Sequence, residues 1–395
     1  MGSSVIAILL LGWLIVVHEL GHFLVARWAG VRILRFSVGF GPTLLAWTRG
    51  ATEYAISAIP LGGYVKMAGE QRAEETPPPS GGDGEARGNS PTGGDGARSA
   101  PEGAPPPARG APRPWEYRGK PLGVRALIIF AGPLVNYLVA LLSLWVVFMV
   151  GFPELLPVVG KVMEDMPAQA AGLASGDRID AVNGKPVRTW EEMTKAIYGA
   201  PGVPLTLRVT RDGASRSLTV TPKARTITDP FSQRRTVGLI GISPSGQFEA
   251  YRLGPWDAAA RTMQQQHEWV AQTFLAFWFM LTGKLSLNDS VTGPIGIVYL
   301  TSEAMRMGFA PLLFLISLFS LSLAIVNLFP IPILDGGHLF FLLMEKLRGR
   351  PISLTIQERS AQVSFLVLMG LVLVICLNDI QRFGLLDKVA KWFGR

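Results

Sequence analysis

His18-Glu19-Leu20-Gly21-His22 interrupts a stretch that otherwise reads as membrane: residues 5–17 are apolar or small without a break, and apolar residues resume at Phe23, Leu24, Val25 and Ala26. A charge in mid-bilayer costs about 2.5–3.5 kcal/mol on insertion scales, so ionisable residues at that depth point to function. The spacing says which function. On a helix, positions 18 and 22 are i and i+4 and share one face, where two imidazoles can hold a zinc ion. Glu19 stands beside them, placed as general base on the metal's water. The span from Val5 to Trp28 covers roughly 24 residues, enough to cross ~30 Å of hydrocarbon at 1.5 Å per residue. Its apolar core resembles that of a secretory signal. It lacks a basic leading region and a small-residue cleavage site before His18, so it is expected to stay as a membrane span.

The composition agrees with a membrane protein carrying a soluble portion: 49% of the 395 residues are apolar, only 17% are charged, and the mean hydropathy is +0.32. A net charge of +8 would suit a nucleic-acid partner. The basic residues, however, are spread over membrane-flanking loops and form no stripe with stacking aromatics, so no nucleic acid is expected. The single cysteine, Cys376, excludes a disulfide framework and a cysteine-based metal site.

In order along the chain, residues 1–30 form the first span. Arg27, Arg32 and Arg35 follow it, and by the positive-inside rule they put that end, and the histidines, towards the cytoplasm. In residues 31–70, Ser37 to Pro42 is turn-forming, and 54–60 and 64–67 read as short strands joined through Leu61-Gly62-Gly63. This hairpin either dips into the membrane or lies peripherally on its cytoplasmic face. Residues 71–118 are a Pro/Gly-rich cytoplasmic linker with the composition of disorder. Residues 119–151 hold the second span, preceded by Arg118, Lys120 and Arg125, with Asn136 expected to bond between helices. Residues 157–225 change to short alternating strands around a helical 190–198, a small domain on the far side of the membrane. In 226–310, Pro255–Leu281 reads as an amphipathic helix on or partly in the membrane surface. The third span lies in 311–347, broken after Asn327 by Pro330 and Pro332, with Lys346, Arg348 and Arg350 again marking a cytoplasmic end. The fourth span is 360–380, and a tail from Asp379 onward, chiefly 381–395, lies outside it.

A catalytic zinc needs a third protein ligand and an open fourth position. Asp335 is the candidate: an oxygen donor in a break at membrane depth, on the same side as His18 and His22. Its alternative role is to cap a helix opened by Gly336, Gly337 and His338. His338 is a competing donor, better suited to a supporting position.

These features together resemble the bacterial site-2 proteases, zinc intramembrane proteases of the regulator-of-sigma-E type in peptidase family M50. The matching motifs are His18-Glu19-Leu20-Gly21-His22, Phe40-Gly41-Pro42, Gly62-Gly63-Tyr64-Val65-Lys66-Met67, Gly132-Pro133-Leu134-Val135-Asn136, Gly293-Pro294-Ile295-Gly296 and the run from Asn327 to Gly337. Within 157–225, the stretches at 167–173, 176–179 and Val182-Asn183-Gly184 resemble a PDZ domain. The resemblance implies a multi-pass α-helical membrane protein with about four transmembrane helices, a membrane-associated β-hairpin and one inserted extracytoplasmic PDZ domain of α+β type. It implies His18, His22 and Asp335 as ligands of Zn2+ and Glu19 as catalytic acid/base. It further implies substrate contacts at Asn327, Pro330 and Pro332, and an extended substrate received along Gly62, Gly63, Tyr64, Val65, Lys66 and Met67. The expected partners are the lipid bilayer, single-span protein substrates such as a pre-trimmed anti-sigma factor or a remnant signal peptide, and a peptide at the PDZ domain through strand addition. The expected location is a bacterial inner membrane, with the site towards the cytoplasm. The long Pro/Gly insertion after Glu70 departs from the family pattern and bears on regulation, as the single PDZ domain does. The rival function is a membrane-anchored PDZ adaptor with a non-catalytic zinc site.

Overall fold

The computed structural model describes residues 2–70, 113–228, 234–285 and 292–382. The elements are α1 (Gly2–Trp28), β1 (Ile33–Arg49), β2 (Thr52–Met67), α2 (Leu122–Val150), β3 (Phe152–Leu155), β4 (Val159–Val162), α3 (Pro167–Ala170), β5 (Arg178–Val182), β6 (Lys185–Pro186) and α4 (Trp190–Tyr198). They continue with β7 (Leu205–Arg211), β8 (Ala214–Val220), β9 (Lys223–Thr228), β10 (Arg234–Leu239), β11 (Ile242–Pro244), β12 (Phe248–Tyr251), α5 (Pro255–Leu281) and α6 (Pro294–Met307). The last are α7 (Phe309–Asn327), α8 (Asp335–Arg348) and α9 (Leu354–Arg382). By length and composition α1, α2, α7 and α9 can each cross a membrane. The chain divides into two compact units, one of residues 8–136 and 324–367, the other of 1–7, 137–323 and 368–395.

In the first unit, α1 ends at Gly30, whose φ of +69° suits a residue without Cβ. The ribbon that follows contains the expected turn and a second one before it. The chain reverses at Gly50 and Ala51 and again near Leu61-Gly62-Gly63: residues 53–56 run parallel to 35–38 on one side, and 63–67 run antiparallel to 33–38 on the other. β1 folds back at Gly39 and Gly41, both at positive φ within the expected turn of Ser37 to Pro42, so that Phe36 is flanked by Tyr54 on one side and Val65 on the other. The glycines of β2 serve close approach. A Cβ on Gly62 would meet Ile15 of α1 at 3.0 Å, and one on Gly63 would overlap the Ser37 carbonyl. Phe23, Ala26, Val31, Ile33, Met67 and Ile128 close a core between α1, the ribbon and α2.

The linker expectation for 71–112 lies outside the described residues; its last residues, 113–118, are ordered, unlike the disorder expected. Arg32 donates its N–H to the Trp115 carbonyl at 2.9 Å, and Tyr117 donates to Ala68 at 2.8 Å. The Arg118 guanidinium reaches the Glu70 carbonyl at 3.2 Å. The third span is two helices, α7 and α8, separated by the residues around Pro330 and Pro332.

In the second unit, a four-stranded sheet ordered β6-β5-β7-β8 packs with α4 around Val159, Ile179, Met193, Ile197, Leu207, Val209 and Ile240. Thr189 caps α4 by accepting the Glu192 N–H at 3.2 Å, and Glu192 reaches back to the N–H of Arg188 at 2.9 Å. This domain does not stop at residue 225. β11 pairs with β4 and β12 with β3, and Ile240 is in the core. Strands at 234–251 therefore belong to the strand-rich domain and not to an amphipathic region.

Asp177 is buried at the base of this domain and accepts from Arg211 at 2.6 and 2.7 Å and from the Ala174 N–H at 2.8 Å. Burial pushes its carboxyl up, but Arg211 and the Ala174 N–H outweigh that and hold it below the ordinary carboxylate range. A depressed folded-state pKa stabilises fully above the unfolded value of ~3.9 and is lost as pH falls from there through the folded value. The melting midpoint of wild type should therefore fall more steeply below about pH 4 than that of Asp177→Asn, which has no such titration. Parallel melting curves for the two proteins would refute this.

One face of α5 is buried at Ala258, Thr262 and Gln266, while Phe274, Trp278 and Leu281 are exposed. Gln266 donates to Ser317 of α7 at 3.1 Å, and Ser317 donates to the Ala140 carbonyl of α2 at 2.7 Å. The amphipathic stripe thus docks on two apolar helices through its first half. Asp379, expected at the head of an external tail, is instead a buried residue of α9. Its carboxylate accepts from the N–H groups of Gly293 and Gly296 at 3.3 and 2.9 Å and so caps α6. The tail from residue 383 lies outside the described residues.

Candidate metal centre

All three expected ligands lie in the first unit, each set by a different constraint. Because α1 is unbroken through His18 and His22, both imidazoles leave the same face one turn apart. Along α2, Ile128, Gly132 and Asn136 recur at i, i+4 and i+8 and meet those imidazoles. His22 donates its Nδ1–H to the Ile128 carbonyl at 2.8 Å, and Nδ2 of Asn136 lies 3.2 Å from His18 Nδ1. A carbonyl only accepts, so His22 keeps its proton on Nδ1 and turns the bare Nε2 inward. Asn136, read from sequence as an interhelical bond, makes that bond to a ligand candidate. Gly132 permits the crossing, because a Cβ there would overlap His22 Nε2 and stand 2.8 Å from His18 Cε1.

Asp335 opens α8, yet the N-cap position is Leu334 and no side chain caps the helix. The capping alternative is not realised. Oδ2 of Asp335 is buried without a hydrogen-bond donor, 2.9 Å from His18 Nε2 and 3.4 Å from His22 Nε2. Its approach needs the two residues after it to be glycine. A Cβ on Gly336 would overlap the Leu328 and Phe329 carbonyls, and one on Gly337 would lie 2.5 Å from Pro332 Cα. His338 is exposed and packs edge-on to Phe341, outside the ligand group of His18, His22 and Asp335.

The donor set can be tested for fit. Ligand atoms about 2.05 Å from a tetrahedral zinc stand ~3.3 Å apart along each edge. The three separations here are 2.9, 3.3 and 3.4 Å, and both histidines are buried. Two imidazole nitrogens and a carboxylate oxygen match zinc in number and kind, with one corner left open. Glu19 is half-buried next to His18, and its carboxylate interacts electrostatically with His22, His18 and Asp335.

The expected substrate-contacting residues divide. Gly62 and Gly63 are buried against α1, Tyr64 and Val65 are half-buried, and Lys66 is exposed. Met67 packs in the core, and its N–H already donates to Glu70 Oε2 at 3.3 Å. Among the described residues, 63–67 pair on one side with β1 and carry no strand on the other. Asn327 ends α7 half-buried, Pro330 is exposed and Pro332 half-buried. Sequence reasoning missed Arg125 and Glu345, which join α2 to α8 by a two-pronged ion pair, because both read as ordinary flanking charges.

Comparison with known proteins bears on the same residues. A Rhizobium meliloti protein named as a candidate zinc metalloprotease is 35% identical over 94% of this chain and 94% of its own length. The zinc metalloprotease RasP of Geobacillus kaustophilus is 32% identical over 97% of this chain and 99% of its own length. The regulator of sigma-E protease RseP of Salmonella typhimurium is 29% identical over 95% and 97%. Among solved structures, the PDZ domain of an SdrC-like protein from Listeria monocytogenes is 20% identical, covering 24% of this chain and 88% of that one, with a TM-score of 0.18. The model of Peptidase family M50 matches residues 6–371, which take in both histidines, Glu19 and Asp335. The group of His18, His22 and Asp335, which could hold a metal ion, is thus embedded in a chain that belongs, over nearly its whole length, to the site-2 proteases of peptidase family M50.

Proposed function

We propose that this metalloprotease cuts single-span membrane proteins inside the bilayer, with His18, His22 and Asp335 as the ligands of one zinc ion and Glu19 moving the proton. The observation that carries the reading is the convergence of three donor atoms at 2.9–3.4 Å, two on the potential membrane span α1 and one on α8. Bound zinc supplies a Lewis acid that polarises the scissile carbonyl and makes water nucleophilic near neutral pH. Glu19 takes the proton from the attacking water and returns it to the leaving amine. His22 is held in the tautomer this needs by Ile128; Asn136 would do the same for His18 with its amide turned to present Oδ1 as acceptor of the Nδ1–H.

A helical substrate shields its own peptide bonds, so it must unwind before cleavage. The unpaired outer side of 63–67 offers backbone groups for an extended segment, with Tyr64, Val65 and Lys66 beside it. A nearby apolar cavity of about 490 Å³ lined by Ile333, Phe365 and Leu366 suits a membrane segment arriving at Asp335, past Asn327, Pro330 and Pro332. The strand-rich domain, read as a PDZ module outside the membrane, would filter substrates by their free ends. The substrate class is then an anti-sigma factor already trimmed externally, or a remnant signal peptide, in a bacterial inner membrane with the site on the cytoplasmic side.

The test uses the purified full chain in detergent with a single-span model substrate. Cleavage is expected to stop when a chelator removes zinc and to return when zinc is added back. Undiminished cleavage by the metal-free protein would sink the proposal.

A further inference from the structure

The third ligand arrives on a helix with few attachments. In α8 only Gly336 and Gly337 are buried, both beside Asp335, while Phe340, Leu343 and Leu347 are exposed. The far half of α8 is nonetheless tied. Arg125 Nη1 donates to Glu345 Oε2 at 3.2 Å and Nη2 to Oε1 at 2.5 Å, with the two side chains only 12% and 17% exposed. A two-pronged guanidinium–carboxylate pair fixes orientation as well as distance.

The position of Arg125 gives this pair its meaning. Residues 125, 128, 132 and 136 fall at i, i+3, i+7 and i+11, a single stripe along α2. Three of them touch the histidines, through the Ile128 carbonyl, the bare Cα of Gly132 and the Asn136 amide. The fourth grips the helix that carries Asp335. One face of α2 therefore bears on both halves of the ligand set.

We infer that Arg125 and Glu345 are positioning residues for the zinc centre: their ion pair sets the tilt of α8 and so holds Asp335 at ligand distance from His18 and His22. Asp335 and Glu345 are ten residues apart, about 15 Å along the helix, so a tilt of only ~2° at Glu345 moves Asp335 by ~0.5 Å. Metal sites tolerate displacements of about 0.2 Å in ligand distance. Beyond the two glycines, the apolar side chains of α8 that pack, Leu339, Phe341, Leu342 and Met344, are only half-buried.

The inference rests on the reading of His18, His22 and Asp335 as the zinc ligands, and the experiment separates the two. Zinc affinity of the full chain in detergent is measured by competition with a chelator, alongside the visible spectrum of the cobalt-substituted protein. The variants are Glu345→Gln, Arg125→Glu, the exchange Arg125→Glu/Glu345→Arg, and Asp335→Ala as reference. Each single clamp variant is expected to bind zinc about 10-fold more weakly and to shift the cobalt bands, a loss of the size that supporting residues cause. The exchange should recover most of both. Asp335→Ala should lose more than either clamp variant. If Asp335→Ala binds zinc like wild type, the zinc-centre reading itself fails. If it loses zinc while folded clamp variants keep wild-type affinity and an unshifted spectrum, the clamp inference alone is overturned. Where a single variant does not fold, the exchange decides: folded with near-native affinity supports the clamp, and folded with an affinity and spectrum as altered as those of Asp335→Ala overturns it.

Discussion

Glu19→Gln is expected to lower cleavage of a single-span substrate by about 10²–10⁴-fold, the range that general acid–base groups supply. Zinc content should stay at the wild-type level, because the three donor atoms come from His18, His22 and Asp335 and none from residue 19. Glutamine keeps the shape and the hydrogen-bonding reach but cannot take a proton from water. Metal analysis and a cleavage assay on the same preparation check both halves. A metal-replete Glu19→Gln protein that still cleaves at the wild-type rate would remove Glu19 from the chemistry. An adaptor with a passive zinc site makes the opposite forecast, since there residue 19 has nothing to do.

Gly132→Ala should have an effect of comparable size by a different route. The added methyl must occupy space held by His22 Nε2 and Cε1 and by His18 Cε1. Neither ring can retreat freely, because Ile128 and Asn136 hold their outer nitrogens. The helices must separate or the ligands must turn. Zinc affinity is expected to drop at least about 100-fold, beyond the upper end seen for loss of a supporting hydrogen bond. Overpacking would cost about 1–3 kcal/mol of stability besides. Gly123→Ala is the matched control, since it lies on the same helix with nothing within 4 Å of the new Cβ. Equal zinc affinity in the two variants would show that the crossing at Gly132 does not constrain the ligands.

What could be read from the chain alone follows from the range of the physics involved. The histidine pair was legible because helical spacing and the cost of burying charge are local properties. Asp335 was legible for a related reason: a carboxylate between prolines and apolar residues has few other purposes. The turn at Leu61-Gly62-Gly63 was legible because a reversal calls for glycine, and Gly62 sits at positive φ. In the fold Gly62 and Gly63 also make room for Ile15 and the Ser37 carbonyl; nothing local announces that 53–56 pairs in parallel with 35–38. The end of the strand-rich domain was missed because β11 finds its partner in β4, far back in the sequence, and no local pattern announces such a pairing. Arg125 and Asp379 read in the sequence as a membrane flank and a tail. Their actual partners, Glu345 and the N–H groups of Gly293 and Gly296, are likewise remote in sequence.

The backbone bonds that join Ala68 to Tyr117 and Arg32 to Trp115 bring Glu70 and Arg113 to one place on the ribbon. Whatever chain is spliced between them leaves from and returns to a closed stitch, so its length is not transmitted to α1 or α2. This makes the position a natural splice point, where a fluorescent reporter or an affinity handle is expected to be tolerated without disturbing α1 and α2.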